Sequence, residues 1–302
     1  MQNSLSVYEI GPGRVVAERY EIVRPHRQGG LSVAFEARDL AADGDACELQ
    51  VFPPSLFDGE RELNEFARNW QPWKRVCSER VLAVRDIATV GTTSLVLVTD
   101  LPQGAALRAS LASGVRFSAA AVVELGMGIL DGLGAIHGLG LVHGDVKPAT
   151  VWCTDVSAHF DATTATLVLV DGGTTPGLWS AKALGERTAL IGTPYYAPVE
   201  LFGGECPDVQ SDVYSAATLL FELATGVQPW AGKTFLEVFQ SKLAKEPPRC
   251  LDRAPKAAVP TALEHAIRGG LHADRERRYA SPLEFRAALE AALEHPGMRA
   301  KG

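Results

Sequence analysis

Between Thr99 and Ser118 the chain changes texture, and that change limits the folds open to it. Up to residue 99 the apolar residues fall in short β-like runs, at 20–23, 33–37, 48–52, 83–88 and 95–99, interrupted by one helical stretch at 60–71. From residue 118 the spacing is that of long amphipathic helices, at 118–138, 212–226, 235–244, 261–270 and 282–294. Strands gathered at one end and helices at the other cannot alternate into a parallel βαβ sheet. The expected class is therefore α+β, with a small β-rich lobe over 20–100, a larger helical lobe over 101–295 and a hinge near 100–104. Residues 1–19 read as a loose leader and 296–302 as a short tail.

Composition removes several function classes. The formal net charge of −7 and the lack of a basic block argue against nucleic acid or an anionic membrane as the main partner. The five cysteines are scattered and form no CxxC pair, which points to buried thiols in a reducing compartment and away from a disulfide framework or zinc site. Met1-Gln2-Asn3-Ser4 opens no signal sequence, and the low-charge run at 126–144 is interrupted by Asp131 and rich in glycine. A cytoplasmic location with no membrane segment is expected.

Two runs carry the chemistry. His143-Gly144-Asp145-Val146-Lys147-Pro148 places a carboxylate beside a lysine, and Asp171-Gly172-Gly173 supplies a second aspartate on a glycine-rich corner. Around them stand Arg19-Tyr20-Glu21-Ile22, then 28–39 with Gly29-Gly30, then Leu97-Val98-Thr99-Asp100, Gly192-Thr193-Pro194, Glu200, Ser211-Asp212-Val213-Tyr214-Ser215 and Arg278-Tyr279. In this order and at these spacings, from about residue 19 to 293, they resemble the eukaryotic-like serine/threonine protein kinase family. The resemblance implies a bilobal protein-kinase-like fold, with Asp145 and Lys147 as the catalytic-loop pair and Asp171 as the metal-binding aspartate.

Phosphoryl transfer asks a protein for positioning and charge neutralisation around a triphosphate. Matched to the family's pattern, the three glycine-loop positions fall on Arg27, Gly29 and Ser32, so two of them carry side chains. Gln50 stands where a lysine should grip the α- and β-phosphates, a charge-assisted contact worth roughly 1.5–3 kcal/mol. The helical glutamate that would pair with that lysine falls on Asn69, with Glu62 and Glu65 in the same helix as other candidates. Residues two apart in a strand share a face, so Glu48 points the same way as Gln50, at the roof of the base pocket. There it narrows the slot, turns to solvent or pairs with Arg27. Trp152 falls on the floor, while Val33, Thr99 and Leu101 remain compatible with a ligand. The second metal ligand falls on Thr150, whose neutral hydroxyl is a poor ligand for Mg²⁺.

Gly172 replaces the phenylalanine of the metal-binding corner, a vacancy that Trp73 is placed to fill. Gly144 replaces an arginine that pairs with a phosphorylated segment, so Thr174, Thr175, Thr188 and Thr193 read as ordinary loop residues. His143, Asp212 and an expected Glu200–Arg278 ion pair are architectural. The resemblance therefore implies a degenerate member, a pseudokinase acting as a protein-binding or regulatory scaffold. No cofactor is expected, and the partner is another protein, by analogy an active kinase. Two alternatives stay open: a divergent active serine/threonine kinase using ATP and Mg²⁺ through Asp145, Lys147 and Asp171, and a non-catalytic nucleotide or small-molecule sensor.

Overall fold

The computed structural model describes residues 10–90, 94–182 and 194–295. In chain order the strands are β1 (Val15–Val16), β2 (Tyr20–Gln28), β3 (Val33–Asp39), β4 (Asp45–Phe52), β5 (Val84–Val90), β6 (Ser94–Thr99), β7 (Ala105–Ala106), β8 (Val151–Cys153) and β9 (Leu167–Leu169). The helices are α1 (Glu60–Trp70), α2 (Leu107–Ala112), α3 (Ala119–His137), α4 (Thr174–Ala181), α5 (Val199–Phe202), α6 (Val209–Thr225), α7 (Phe235–Lys242), α8 (Cys250–Arg253), α9 (Thr261–Gly270) and α10 (Pro282–Glu294). Two compact units result. The first takes the described residues up to Cys77, then Leu82–Pro102 and 177–182; the second takes Ser78–Val81, Gln103–Pro176 and the described residues from 194 on.

The first unit is a six-stranded antiparallel sheet in the order β1-β2-β3-β4-β6-β5, with α1 packed on it. One face carries the apolar core: Tyr20, Ile22, Phe35, Ala37, Cys47, Leu49, Val51, Val96 and Val98. Alternation sends their neighbours Glu48, Gln50, Leu97 and Thr99 to the other face, where all four are buried. Helix α1 forms because Leu63, Phe66 and Trp70 recur at helical spacing on one side, and Glu60 and Glu62 suit the positive end of its dipole. Its buried stripe continues as an aromatic ladder, Phe52 to Phe66 (5.0 Å between ring centres), Phe66 to Trp70 (6.1 Å) and Trp70 to Trp73 (5.6 Å). Pro72 cannot donate an N–H, and the chain tightens there into a 3₁₀ turn, Gln71–Arg75.

The second unit is built around α3, which packs against α6, α10 and β9. Its glycines permit that approach: a Cβ on Gly132 would stand 2.9 Å from Leu169 Cδ1 and 3.0 Å from the Arg80 carbonyl. This helix is long and apolar enough to cross a membrane by length and composition, and it is mostly buried. Helix α6 begins earlier than the sequence pattern indicates, at Val209, because Asp208 and Ser211 form a reciprocal capping box. The small sheet β7-β8-β9 lies beside α2 and α3.

The Glu200–Arg278 pair forms as expected. Arg278 Nη1 donates to Glu200 Oε1 at 2.6 Å, and the guanidinium also reaches the carbonyls of Gln210, His272 and Ala273 while lying over the Tyr214 ring. Both side chains are buried. Arg278→Leu is expected to lower unfolding free energy by about 3–5 kcal/mol, because it strands a buried carboxylate. Glu200→Leu with Arg278→Leu should recover part of that loss; urea unfolding of the two variants checks both values.

Candidate functional site

In the second unit one carboxylate sets the geometry of the loop that carries Asp145. Asp212, in the first turn of α6, accepts from the backbone N–H of His143 (2.8 Å) and of Gly144 (2.8 Å), and pairs with His137 Nε2 (2.8 Å). His143 is fully buried between two partners: its Nδ1 accepts from the Asp145 N–H at 3.3 Å, and its Nε2 donates to the Val170 carbonyl at 3.1 Å. Burial pushes its pKa below the ordinary histidine value. Val170 N–H donates to the Thr150 carbonyl (2.9 Å) and Gly173 N–H to the His143 carbonyl (2.9 Å), which ties the two sequence runs together. Between those bonds Asp171 adopts φ +62°, a left-handed conformation that few residues other than glycine adopt.

Within this loop the Lys147 ammonium is paired with the Asp145 carboxylate. Thr150 is buried, and its hydroxyl is used by the loop itself. Oγ1 accepts from the Lys147 N–H at 3.1 Å and lies 2.9 Å from the Asp145 carbonyl and 3.1 Å from that of Lys147. The hydroxyl thus fastens the turn, and its chemistry does not fit the second metal ligand that its position in the sequence suggested. Among the described residues no group of three or more His, Cys, Asp and Glu is placed to hold a metal ion. Asp171 is the carboxylate of the Asp171-Gly172-Gly173 corner. Trp152 is half-buried in β8, opposite Ala106 and Val168.

Gly144 is required where it stands. Its φ is +78°, and a Cβ there would lie 2.5 Å from Pro176 Cδ. The left-handed backbone and the proline ring together exclude the arginine that the resemblance led one to look for. Gly172, Thr174 and Thr175 are buried, the two threonines at the start of α4, whereas Thr188, Gly192 and Thr193 lie outside the described residues.

In the first unit Glu48 has no exposed surface, and it is paired twice. Arg27 approaches it side-on, with Nε 2.9 Å from Oε2 and Nη2 2.6 Å from Oε1, and His26 Nδ1 lies 2.7 Å from Oε2. Of the three outcomes open from the sequence, the pairing with Arg27 is the one found, and His26 joins it unforeseen. The hairpin loop after β2 closes on itself, since the Gly29 N–H donates to the Ser32 carbonyl at 3.0 Å. Ser32 is buried. Gln50 lies beside Glu48 on the same strand face and is buried as well; Thr99, opposite Glu48 on β6, donates its hydroxyl to the Asp100 carbonyl at 3.0 Å. Leu101 follows, half-buried.

Val33 requires a correction. It stands opposite Val51 and packs on the apolar core, whereas Ala34 stands opposite Gln50 and shares its face. The expectation was one residue out, and in a strand a one-residue shift exchanges the faces.

The lysine–glutamate pair of the family is expected to be lost at both ends, and helix α1 bonds elsewhere along that side. Asn69 Nδ2 donates to the Gly177 carbonyl at 3.2 Å, Ser180 Oγ to Glu65 at 3.2 Å, and Lys182 Nζ meets Glu62 at 3.0 Å. Residues 62, 65, 66 and 69 form one helix face, and bare Gly177 packs on it, where a Cβ would be 3.1 Å from the Phe66 ring. Trp73 is buried against Trp70. His26, Lys182 and the buried Lys242 were missed in the sequence. Alternation from Glu48 signals a nearby cation but not which one, and Lys182 and Lys242 sit in helical patterns with nothing to mark them as buried or paired.

The protein kinase domain family model matches residues 49–296. The chain belongs to the protein kinase family. It is 27% identical over 282 residues to serine/threonine-protein kinase pkn3 of Myxococcus xanthus, covering 92% of this chain and 51% of that protein. It is 28% identical over 276 residues to serine/threonine-protein kinase PknL of Mycobacterium tuberculosis, covering 91% and 66%. The chain thus spans about half the length of pkn3 and 44% of the PknB relative from Lactococcus lactis. The solved kinase domain of Mycobacterium tuberculosis PknI is similar in fold, with a TM-score of 0.71 at 20% identity over 94% of this chain and 99% of that one. The fold is kinase-like and α+β, with a β-sheet unit preceding a helical one.

Two measurements follow from the kinase loop. The neutral His143 is favoured in the folded protein, so the unfolded chain takes up the proton first as pH falls through about 6.5. Unfolding free energy should therefore drop more steeply below about pH 6.5 in the wild type than in His143→Asn, as read from urea midpoints between pH 5 and pH 8. Gly144→Arg should cost at least about 1–3 kcal/mol from backbone strain alone, before any displacement of Pro176, and should give no gain in activity. A stable, more active Gly144→Arg protein would contradict the assigned geometry.

Proposed function

We propose that this protein-kinase-family chain is a pseudokinase: a protein-binding or regulatory module with weak or absent ATP binding, working in the cytoplasm, whose partner is another protein, by family analogy an active kinase. The observation that carries the reading is the buried Arg27–Glu48–His26 cluster. By family position Arg27 replaces the first glycine of the phosphate loop and Glu48 replaces the small residue over the base. Their ion pair joins the two positions that a nucleotide would need open. Gln50 supplies no charge on the same face, Gly29's N–H is occupied by Ser32, and Thr150's hydroxyl is held by its own loop. Each of these weakens a separate part of the ATP grip.

The Asp145–Lys147 pair, held beside Asp171 by the Asp212 anchor, favours the second reading, a divergent active serine/threonine kinase. Thermal unfolding with and without ATP and Mg²⁺ decides between them. A nucleotide at a hundred times its Kd would add about 2.7 kcal/mol of stability and raise the midpoint by several degrees. The scaffold reading expects no rise and no transfer of labelled γ-phosphate to a generic protein substrate. Transfer that disappears in Asp145→Asn would establish the kinase reading instead, and a rise without transfer would indicate a nucleotide sensor. Arg27→Gly with Glu48→Ala and Gln50→Lys removes the ion pair and restores the cation. A Mg²⁺–ATP-dependent rise gained only by this triple variant is the expected result.

A further inference from the structure

Helix α7 ends in a lysine with no exposed surface. Lys242 Nζ donates to the carbonyl oxygens of Pro194 (2.9 Å), Tyr195 (3.0 Å) and Ala197 (2.5 Å). An ammonium has three hydrogens, and here each has a carbonyl acceptor. The rings of Phe202 and Tyr214 lie 5.4 Å from the nitrogen, within cation–π range. The fourth carbonyl of the stretch, that of Tyr196, accepts from Ser215 Oγ at 3.1 Å on α6. The Tyr196 hydroxyl is hydrogen-bonded to Glu222 and accepts from Gln228 Nε2 at 3.2 Å. Four successive carbonyls are thus satisfied by side chains from two helices, while Tyr195 itself is turned outward and 42% exposed.

We propose that Lys242 is a positioning residue that holds 194–197 in a single conformation through its backbone carbonyls, so that this stretch needs neither a phosphate group nor a bound partner to be ordered. A burial this complete is unfavourable for a lone ammonium, and the matched set of acceptors is what makes it tolerable. Selection for apolar packing alone would place a methionine or leucine at the end of α7. A cation with all its hydrogens engaged fits a site that must restrain backbone. The inference is independent of whether the chain transfers phosphate.

Burial pushes the Lys242 ammonium down to about 7, opposed by the nearby Glu200 carboxylate, which is itself paired with Arg278. The test is therefore run at pH 6, where the amine carries all three hydrogens. Hydrogen–deuterium exchange is followed by mass spectrometry in wild type, Lys242→Met and Lys242→Arg. In the methionine variant, peptides over 194–202 should exchange roughly ten- to a hundredfold faster, with those over 143–152 and 209–225 unchanged. Arginine, which can also donate to several carbonyls, should restore part of the protection. Phosphatase treatment of the wild type should leave the pattern as it was. Unchanged exchange over 194–202 in Lys242→Met, or a loss of protection on phosphatase treatment, overturns the proposal. If the methionine variant fails to fold, ¹⁵N NMR of the wild type decides. A separate, slowly exchanging lysine ammonium signal coupled to backbone carbonyls supports the clamp, and its averaging with the other lysines overturns it.

Discussion

The Asp212 carboxylate is the fixed point of the helical unit. It is 1% exposed and takes hydrogen bonds from two consecutive backbone N–H groups, at His143 and Gly144, together with His137. A buried carboxylate without donors would be costly, and N–H groups without an acceptor cost about 1–3 kcal/mol each, so each group holds the other in place. From this anchor the rest of the loop follows. His143 is oriented to reach Val170, Gly173 returns to His143, and Asp171 is held left-handed between them. The two aspartates that identify the family are in place because of Asp212, whether or not they act on a nucleotide. Their placement is a property of the scaffold.

The sheet unit is organised by a different constraint. Strand alternation sends Leu49 and Val51 to the apolar core and commits Glu48 and Gln50 to the opposite face. A carboxylate buried there has to find donors, and Arg27 and His26 on β2 supply them. The charge buried on that face is thereby balanced by groups of the protein itself. On α1 the pattern repeats. Glu62, Glu65 and Asn69, with Gln50 and no lysine at the matching position of β4, are met by Lys182, Ser180 and the Gly177 carbonyl. In both places a polar group left without its usual counterpart is satisfied from nearby chain.

Much of this is legible in the sequence. The strand-rich and helix-rich halves follow from periodicity, because that signal is local and repeated over many residues. The Glu200–Arg278 pair was legible through the resemblance, since those positions keep their spacing. What stayed hidden depends on distance in sequence or on a single step of register. His26 and Glu48 are 22 residues apart and nothing local couples them. Val33 and Ala34 differ by one position, and only the pairing of β3 with β4 shows which faces Gln50. Thr150 was readable as a poor metal ligand, but its use as a turn fastener required the positions of the Asp145 and Lys147 backbone atoms. Gly144 looked like a lost arginine; the left-handed backbone and Pro176 show a glycine the fold needs.

Replacing the phosphate-gripping lysine by a neutral amide removes roughly 1.5–3 kcal/mol. A ligand that displaced Arg27 would leave the buried Glu48 carboxylate with His26 as its remaining partner in the cluster, at a cost of up to about 3–5 kcal/mol. The two groups lie on one sheet face and are coupled, so the figures do not simply add. The second alone corresponds to at most about three and a half decades in affinity. A catalytic carboxylate would not offset such a cost, because it lowers the barrier only for substrate that is already bound. A buried ion pair is also a poor source of net stability compared with apolar residues of the same volume. The Arg27–Glu48–His26 cluster is therefore explained by the donors that a buried carboxylate needs, more than by any net stability it adds.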